Sequence, residues 1–230
     1  MQFSWTVFST YLVDPRFANA ALTTVWIAVL AQLAGTAIGL GAALARDRGP
    51  APLAALARLY VLVWRGTPLL AQLLLIYFGL PQFGLRLGVW EAGLIGLSLY
   101  AGAYMAEIAR AAFAAIDPGQ DEAARALGMP AGTSLRAILL PQAIRLMLPP
   151  VGNEFNSMLR TTSLLSVISV EELLRVTSMA INESFRSVEL YAVAALYFLA
   201  MTTVWTFVQV RLERRYAVGI RTLRPSATGA

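Results

Sequence analysis

Residues 117–143 read DPGQDEAARALGMPAGTSLRAILLPQA. Asp117 before Pro118 is the pattern of a helix N-cap followed by proline at the first helical position, where the missing N–H would be unpaired anyway. The spacing predicts a short helix from about Gly119 to Leu127. Gly128 fits a left-handed stop, and Pro130 prevents continuation. Thr133 is placed to cap the helix that follows. A helix this short is not stable alone in water. Its alanine-rich face (Ala123, Ala124, Ala126 and Leu127) permits close approach to a partner groove. The segment therefore reads as an element that docks on something else.

On either side of it the chain turns apolar. Of 230 residues, 58% are hydrophobic and 13% charged, and the mean hydropathy is +0.64. A soluble domain of this length needs more charge on its surface. The apolar residues also come in blocks long enough for the ~30 Å hydrocarbon core of a bilayer. Five such passages are expected: about 18–45, 59–80, 89–116, a kinked one over 138–168, and 190–210. The expected fold is an all-α polytopic membrane protein of about five transmembrane helices. It forms one domain over 1–230, with the short helix at about 119–128 between the third and fourth passages. The stretch before Phe17 has no basic region and no small-residue cleavage site, so the first passage reads as a retained anchor.

Arginine placement sets the orientation. With the N-terminus outside, the inner segments hold Arg46, Arg48, Arg58, Arg110, Arg125, Arg136, Arg145, Arg211, Arg214, Arg215, Arg221 and Arg224. The outer ones hold only Arg16, Arg86, Arg175 and Arg186. The expected topology is N-terminus out, C-terminus in. Within the passages, Gly35 and Gly39 with Ala31, and Gly102 with Ala106, form rows of small residues that let helices approach closely.

The residues that are missing exclude whole classes of chemistry. The chain has no Cys and no His, so neither disulfides nor Cys or His metal sites can form. It has no Lys: all 18 cations are Arg. A phosphate-binding P-loop needs a lysine, so any ATP must be hydrolysed by another chain. The net charge of +5 fits cytoplasmic loops rather than nucleic acid. An intramembrane enzyme would need a nucleophile with a base, paired Asp residues or metal ligands, and little here could supply them.

Glu122-Ala123-Ala124, Gly128, Ile138 and Leu140-Pro141 follow the spacing EAA-x3-G-x9-I-x-LP. This resembles the EAA motif of bacterial ATP-binding-cassette importer permeases. Further pieces resemble the polar amino-acid branch, which takes His, Glu, Gln, Arg and opines. They are Arg65-Gly66-Thr67-Pro68-Leu69-Leu70 with Gln72, Ala103-Tyr104 with Glu107 and Arg110, Gly119-Gln120, Pro141-Gln142-Ala143 and Thr162-Ser163-Leu164. Arg160-Thr161 stands where the family usually has Lys followed by an acid, so the cation is kept and the acid lost. The resemblance implies a type I importer permease fold in a bacterial inner membrane. It implies that Glu122, Ala123, Ala124 and Gly128 form the coupling helix on a separate ATPase subunit, which binds ATP and Mg. It also implies a second permease chain (identical or sibling) and an external solute-binding protein. The expected function is import of a polar amino acid or a related opine- or ectoine-like compound by alternating access. The alternatives are another small solute, or a passive channel or scaffold, although a channel has no need of an EAA helix.

Charges at membrane depth cost about 2.5–3.5 kcal/mol each on insertion scales. Glu107 and Arg110 read as an i,i+3 pair. Pro68 leaves the Trp64 carbonyl without its helical donor, and Arg65 is placed either to satisfy local backbone or to line a path. Asn153, Asn156, Ser157 and Arg160 fall on one helical stripe, edged by Glu154 and Thr161. Pro149, Pro150 and Gly152 precede it and predict a broken helix. The stripe reads either as glue between helices or as a substrate path formed with Thr162 and Ser163. In a path, Arg160 would grip a carboxylate and Glu154 an ammonium group.

Overall fold

The computed structural model describes residues 3–216. Within them the chain is helical throughout, with no strand. Ser4 caps α1 (Trp5–Leu12), its hydroxyl accepting from the Val7 N–H at 3.4 Å. Asp14 caps α2 (Pro15–Arg48) with proline at the first position. At 1.5 Å per residue, α2 runs about 50 Å, more than enough to cross a bilayer. α3 (Ala51–Gly66) stops at Thr67-Pro68, because proline disfavours helical backbone in the residue before it. The chain then bends by 109° into α4 (Leu69–Leu74), a π turn (Leu75–Gly79) and a 3-10 turn (Leu80–Phe83). The expected second passage, 59–80, is thus two segments at a steep angle.

α5 (Val89–Ala114) leads into the segment 117–143. That segment comprises α6 (Pro118–Ala126), α7 (Ala131–Ser134) and a π turn (Leu135–Leu139) leading into α8 (Leu140–Thr161). A 3-10 stretch (Thr162–Ile168), α9 (Leu173–Ser184) and α10 (Ser187–Tyr216) complete the described chain. By length and apolarity α2, α5 and α10 can each cross a membrane, and the bent pair of α3 with the segment Leu69–Phe83 adds a fourth crossing if it is one broken span rather than a re-entrant loop. α8 carries Arg145, Glu154 and Arg160 and lies outside that set. Arg221 and Arg224, which enter the orientation argument, lie outside the described residues.

α2 and α5 form the central pair. A methyl group added to Gly35 would sit 2.5 Å from Ala101 Cβ, and one on Gly39 2.5 Å from Met105 Cβ. The small-residue rows are therefore the contact itself. Around this pair lies the main core, with Ile27, Ala31, Leu73, Leu97, Ala101, Phe155 and Met158 buried together. Tyr60 ties α3 to α5, donating to the Leu99 carbonyl at 2.5 Å. A second cluster around Phe17, Leu173, Leu190 and Val193 joins α2, α9 and α10 and is backed by α1. Here Tyr197 donates to the Leu12 carbonyl at 2.9 Å and the Ser4 N–H to Glu189 at 2.9 Å.

Candidate transport path and coupling segment

Residues 117–143 fold almost as their sequence requires. Asp117 accepts from the Gly119 N–H at 2.8 Å, and Pro118 opens α6. At the other end Gly128 has φ +73°. Its N–H reaches the Arg125 carbonyl at 2.9 Å, and the Met129 N–H reaches the Ala124 carbonyl at 3.0 Å. That pair of bonds is a Schellman stop. The helix begins and ends one residue earlier than expected. Thr133 does not cap the next helix: it lies inside α7, and Pro130 is the residue before that helix. Ala124 is buried, while Glu122 and Ala123 point to solvent and are free to meet a partner.

The arginines cluster in a way the sequence did not disclose. Glu107 on α5 receives Arg110 at 2.9 Å, the expected i,i+3 pair, but also Arg46 of α2 at 2.5 Å and Arg65 of α3 at 3.7 Å. One carboxylate thus joins three helices. Arg65 also lies 5.2 Å from the Tyr104 ring, which packs on Tyr100 at 4.7 Å. Arg65 does not serve the backbone at the bend. Gln72 does, donating to the carbonyls of Trp64 at 3.1 Å and Thr67 at 3.3 Å and to the Thr67 hydroxyl at 2.7 Å. Gln72 follows the bend by only four residues, so its amide was the available signal for this role. Two clefts of about 430 and 520 Å³ share Arg65, Tyr104 and Glu107, and Pro150 lines the smaller one.

α8 is one helix through Pro149 and Pro150, rather than a broken one. The prolines withhold two N–H donors and so weaken the turn without ending it. The expected polar stripe divides between two faces. Asn153 accepts from Gln209 of α10 at 3.1 Å, and Asn156 donates to Thr206 of α10 at 3.2 Å. Those two residues are interhelical glue. Trp205 adds a bond to the Gly152 carbonyl at 2.8 Å. Glu154 has no hydrogen bond to α10 among the described residues and lies within electrostatic reach of Arg65 and Tyr100. The structure thus brings Arg65, Tyr100, Tyr104, Glu107 and Glu154 to one place.

Arg160 is exposed, without an ion pair among the described residues, and Ser157 is half-buried. Thr162 is fully buried and donates to the Leu159 carbonyl at 2.9 Å, while Ser163 donates to the Arg160 carbonyl at 2.7 Å. Both hydroxyls are thus used by their own backbone. No group of three or more acidic side chains placed to hold a metal occurs among the described residues.

Residues 35–218 match the model of the family described as binding-protein-dependent transport system inner membrane component. The chain belongs to that family. It is 38% identical to the glutamine transport system permease protein GlnP of Escherichia coli (strain K12), over 95% of this chain and 100% of that one. It is 37% identical to the arginine transport system permease protein ArgU of Corynebacterium glutamicum, over 94% of this chain and 73% of that one. A solved amino acid ABC transporter with histidines superposes with a TM-score of 0.88 at 38% identity, covering 94% of this chain and 100% of that chain. The MetNI methionine transporter superposes at 0.73 but is 19% identical, a likeness of fold alone. Members of this family are permease subunits of importers and not enzymes, and the chain is an integral membrane protein of that kind.

Proposed function

We propose that this chain is the permease through which a polar amino acid enters the cytoplasm by alternating access. The observation that carries this reading is the convergence of Arg65 with Glu107, Tyr104 and Tyr100, with Glu154 of α8 within electrostatic reach of Arg65. The two charges, Arg65 and Glu154, come from different helices, Glu154 half-buried and Arg65 more exposed. A zwitterion needs a cation for its carboxylate and an anion for its ammonium group. The glutamine and arginine permeases it resembles support the same substrate class. In this reading α6 docks on a separate ATPase that holds ATP and Mg, and an external binding protein delivers the solute. The membrane helices of one chain, N-terminus out, close poorly around a path, so a second permease chain covers the exposed polar end of α8 at Arg160.

The test is uptake into vesicles by the permease reconstituted with its ATPase and binding protein, using labelled glutamine, arginine and other polar amino acids. One of them should accumulate in an ATP-dependent manner. Glu154→Gln should weaken transport about tenfold or more, given about 1.5–3 kcal/mol for a charged hydrogen bond. ATPase binding should be unaffected. Transport of some other solute and of no amino acid would overturn the substrate class, and wild-type uptake by Glu154→Gln would remove Glu154 from the path.

A further inference from the structure

α6 is fastened to α8 by more than the chain between them. Ser134, only 1% exposed, donates to Asp121 at 3.3 Å. Gln142 in the first turn of α8 donates to Gln120 at 3.2 Å and, with the same amide, to the Ile138 carbonyl at 3.0 Å. Asp121 is also held by an ion pair with Arg125. Between the two fastenings the backbone takes the wider π path over Leu135–Leu139, just before Pro141, which has no N–H to return to the preceding turn. Such a turn lacks the stiffness of an α-helix. Without side-chain links across it, a push on α6 would be absorbed there.

We propose that Gln120–Gln142 and Asp121–Ser134 are a strut that makes α6 and the inner half of α8 a single lever. The lever's pliable point is the next weakened turn, at Pro149-Pro150. Beyond it α8 is fixed to α10 by Trp205 on the Gly152 carbonyl and Gln209 on Asn153, with only a long 3.4 Å bond from Gln209 to the Pro149 carbonyl at the point itself. Movement of α6 therefore emerges as a change of angle one turn before Glu154, at the site assigned above. All four strut residues are positioning residues: none touches that site. The inference rests on the proposed function for its purpose, but not for its geometry.

The experiment measures the lever without any substrate. Spin labels at Ala126→Cys and Ile144→Cys leave the strut and the Asp121–Arg125 pair untouched, and the chain has no cysteine of its own. In the complex with its ATPase, their distance should be the same and narrowly distributed in the nucleotide-free and ATP-trapped states. With Gln142→Leu and Ser134→Ala added, the distribution should broaden or shift. A distance that changes with nucleotide in the intact strut overturns the proposal, and so does an unchanged distribution in the double variant. A second readout is uptake per ATP hydrolysed, which should fall several-fold in the double variant while hydrolysis persists. An unchanged ratio counts against the strut. Absence of amino-acid uptake by the wild-type complex counts only against the substrate class, since the distance measurement stands without it.

Discussion

Residues 117–130 and residues 145–161 are both marked by prolines, yet their backbones are secured from different places. In the first stretch every partner is close in sequence: Asp117 for the start of α6, and Arg125 and Ala124 for its Gly128 stop. In the second, the carbonyls of Pro149 and Gly152 and the amide of Asn153 meet Gln209 and Trp205, more than fifty residues away. A locally secured element keeps its shape wherever it docks, which suits a helix that must be offered to another subunit. A remotely secured one keeps its shape only while α10 stays in place, which suits a helix that changes angle. The two glycines at these sites separate the cases. Gly128 has open space around it and a positive φ, whereas Gly152 has no space at all.

The largest expected effect follows at Gly152. A Cβ there would lie 2.5 Å from Gln209 Cδ and 2.7 Å from its Nε2. Gly152→Val should displace the Gln209 side chain and break its bonds to Pro149 and Asn153, at about 1–3 kcal/mol for overpacking plus the lost contacts. Melting of the purified permease in detergent should show it. Gly152→Ala combined with Gln209→Ala frees the space and should melt above Gly152→Ala alone. If the second substitution only adds to the damage, the close contact is not what Gly152 provides.

Gly128→Val comes next and should behave in the opposite way. Nothing within 4 Å opposes the new side chain, so the cost is backbone strain of about 1–2 kcal/mol. Because that strain is local, melting of the membrane portion should stay near wild type while ATPase association weakens. Gly128→Asn should retain more association than Gly128→Val, since asparagine tolerates this conformation. Equal loss in both variants would mean that the position needs glycine's size rather than its backbone freedom.

The same distinction explains how much of the molecule was legible in its sequence. The class of fold follows from apolar passages of about twenty residues, and α6 with its ends from a pattern of about ten. The division of the α8 stripe does not, because Asn153, Asn156 and Glu154 differ only in which helix they meet. Periodicity placed them on one surface and was silent about its neighbours. The bend at Gly66–Pro68 could be sensed from Pro68, but not its 109° size. The meeting of Arg46, Arg65 and Arg110 on Glu107 brings together residues sixty apart. Local spacing encodes only the Arg110 part of it, as an i,i+3 pair.

The start of α9 combines both kinds of support and gives the smallest expected effect. Glu172 caps it locally, accepting from the N–H groups of Arg175 at 2.8 Å and Leu174 at 3.0 Å. Thr24 of α2 supports it remotely, accepting from the Leu173 N–H at 3.2 Å. Glu172 is fully buried, and burial pushes its carboxyl up to about 7 from an ordinary 4.5, against the opposing pull of those two N–H groups. The folded state therefore favours the protonated form. That contribution is complete below pH 4.5 and is lost as pH rises through about 7. Asp14, held below the usual carboxylate range by the Arg16 guanidinium, titrates beneath this window. The wild-type melting temperature should thus decline modestly across that interval. Glu172→Gln, uncharged throughout, should decline less, with the two curves closest at the acidic end. Parallel curves would mean that the remote bond from Thr24 and its surroundings hold α9, with the charge on its cap immaterial.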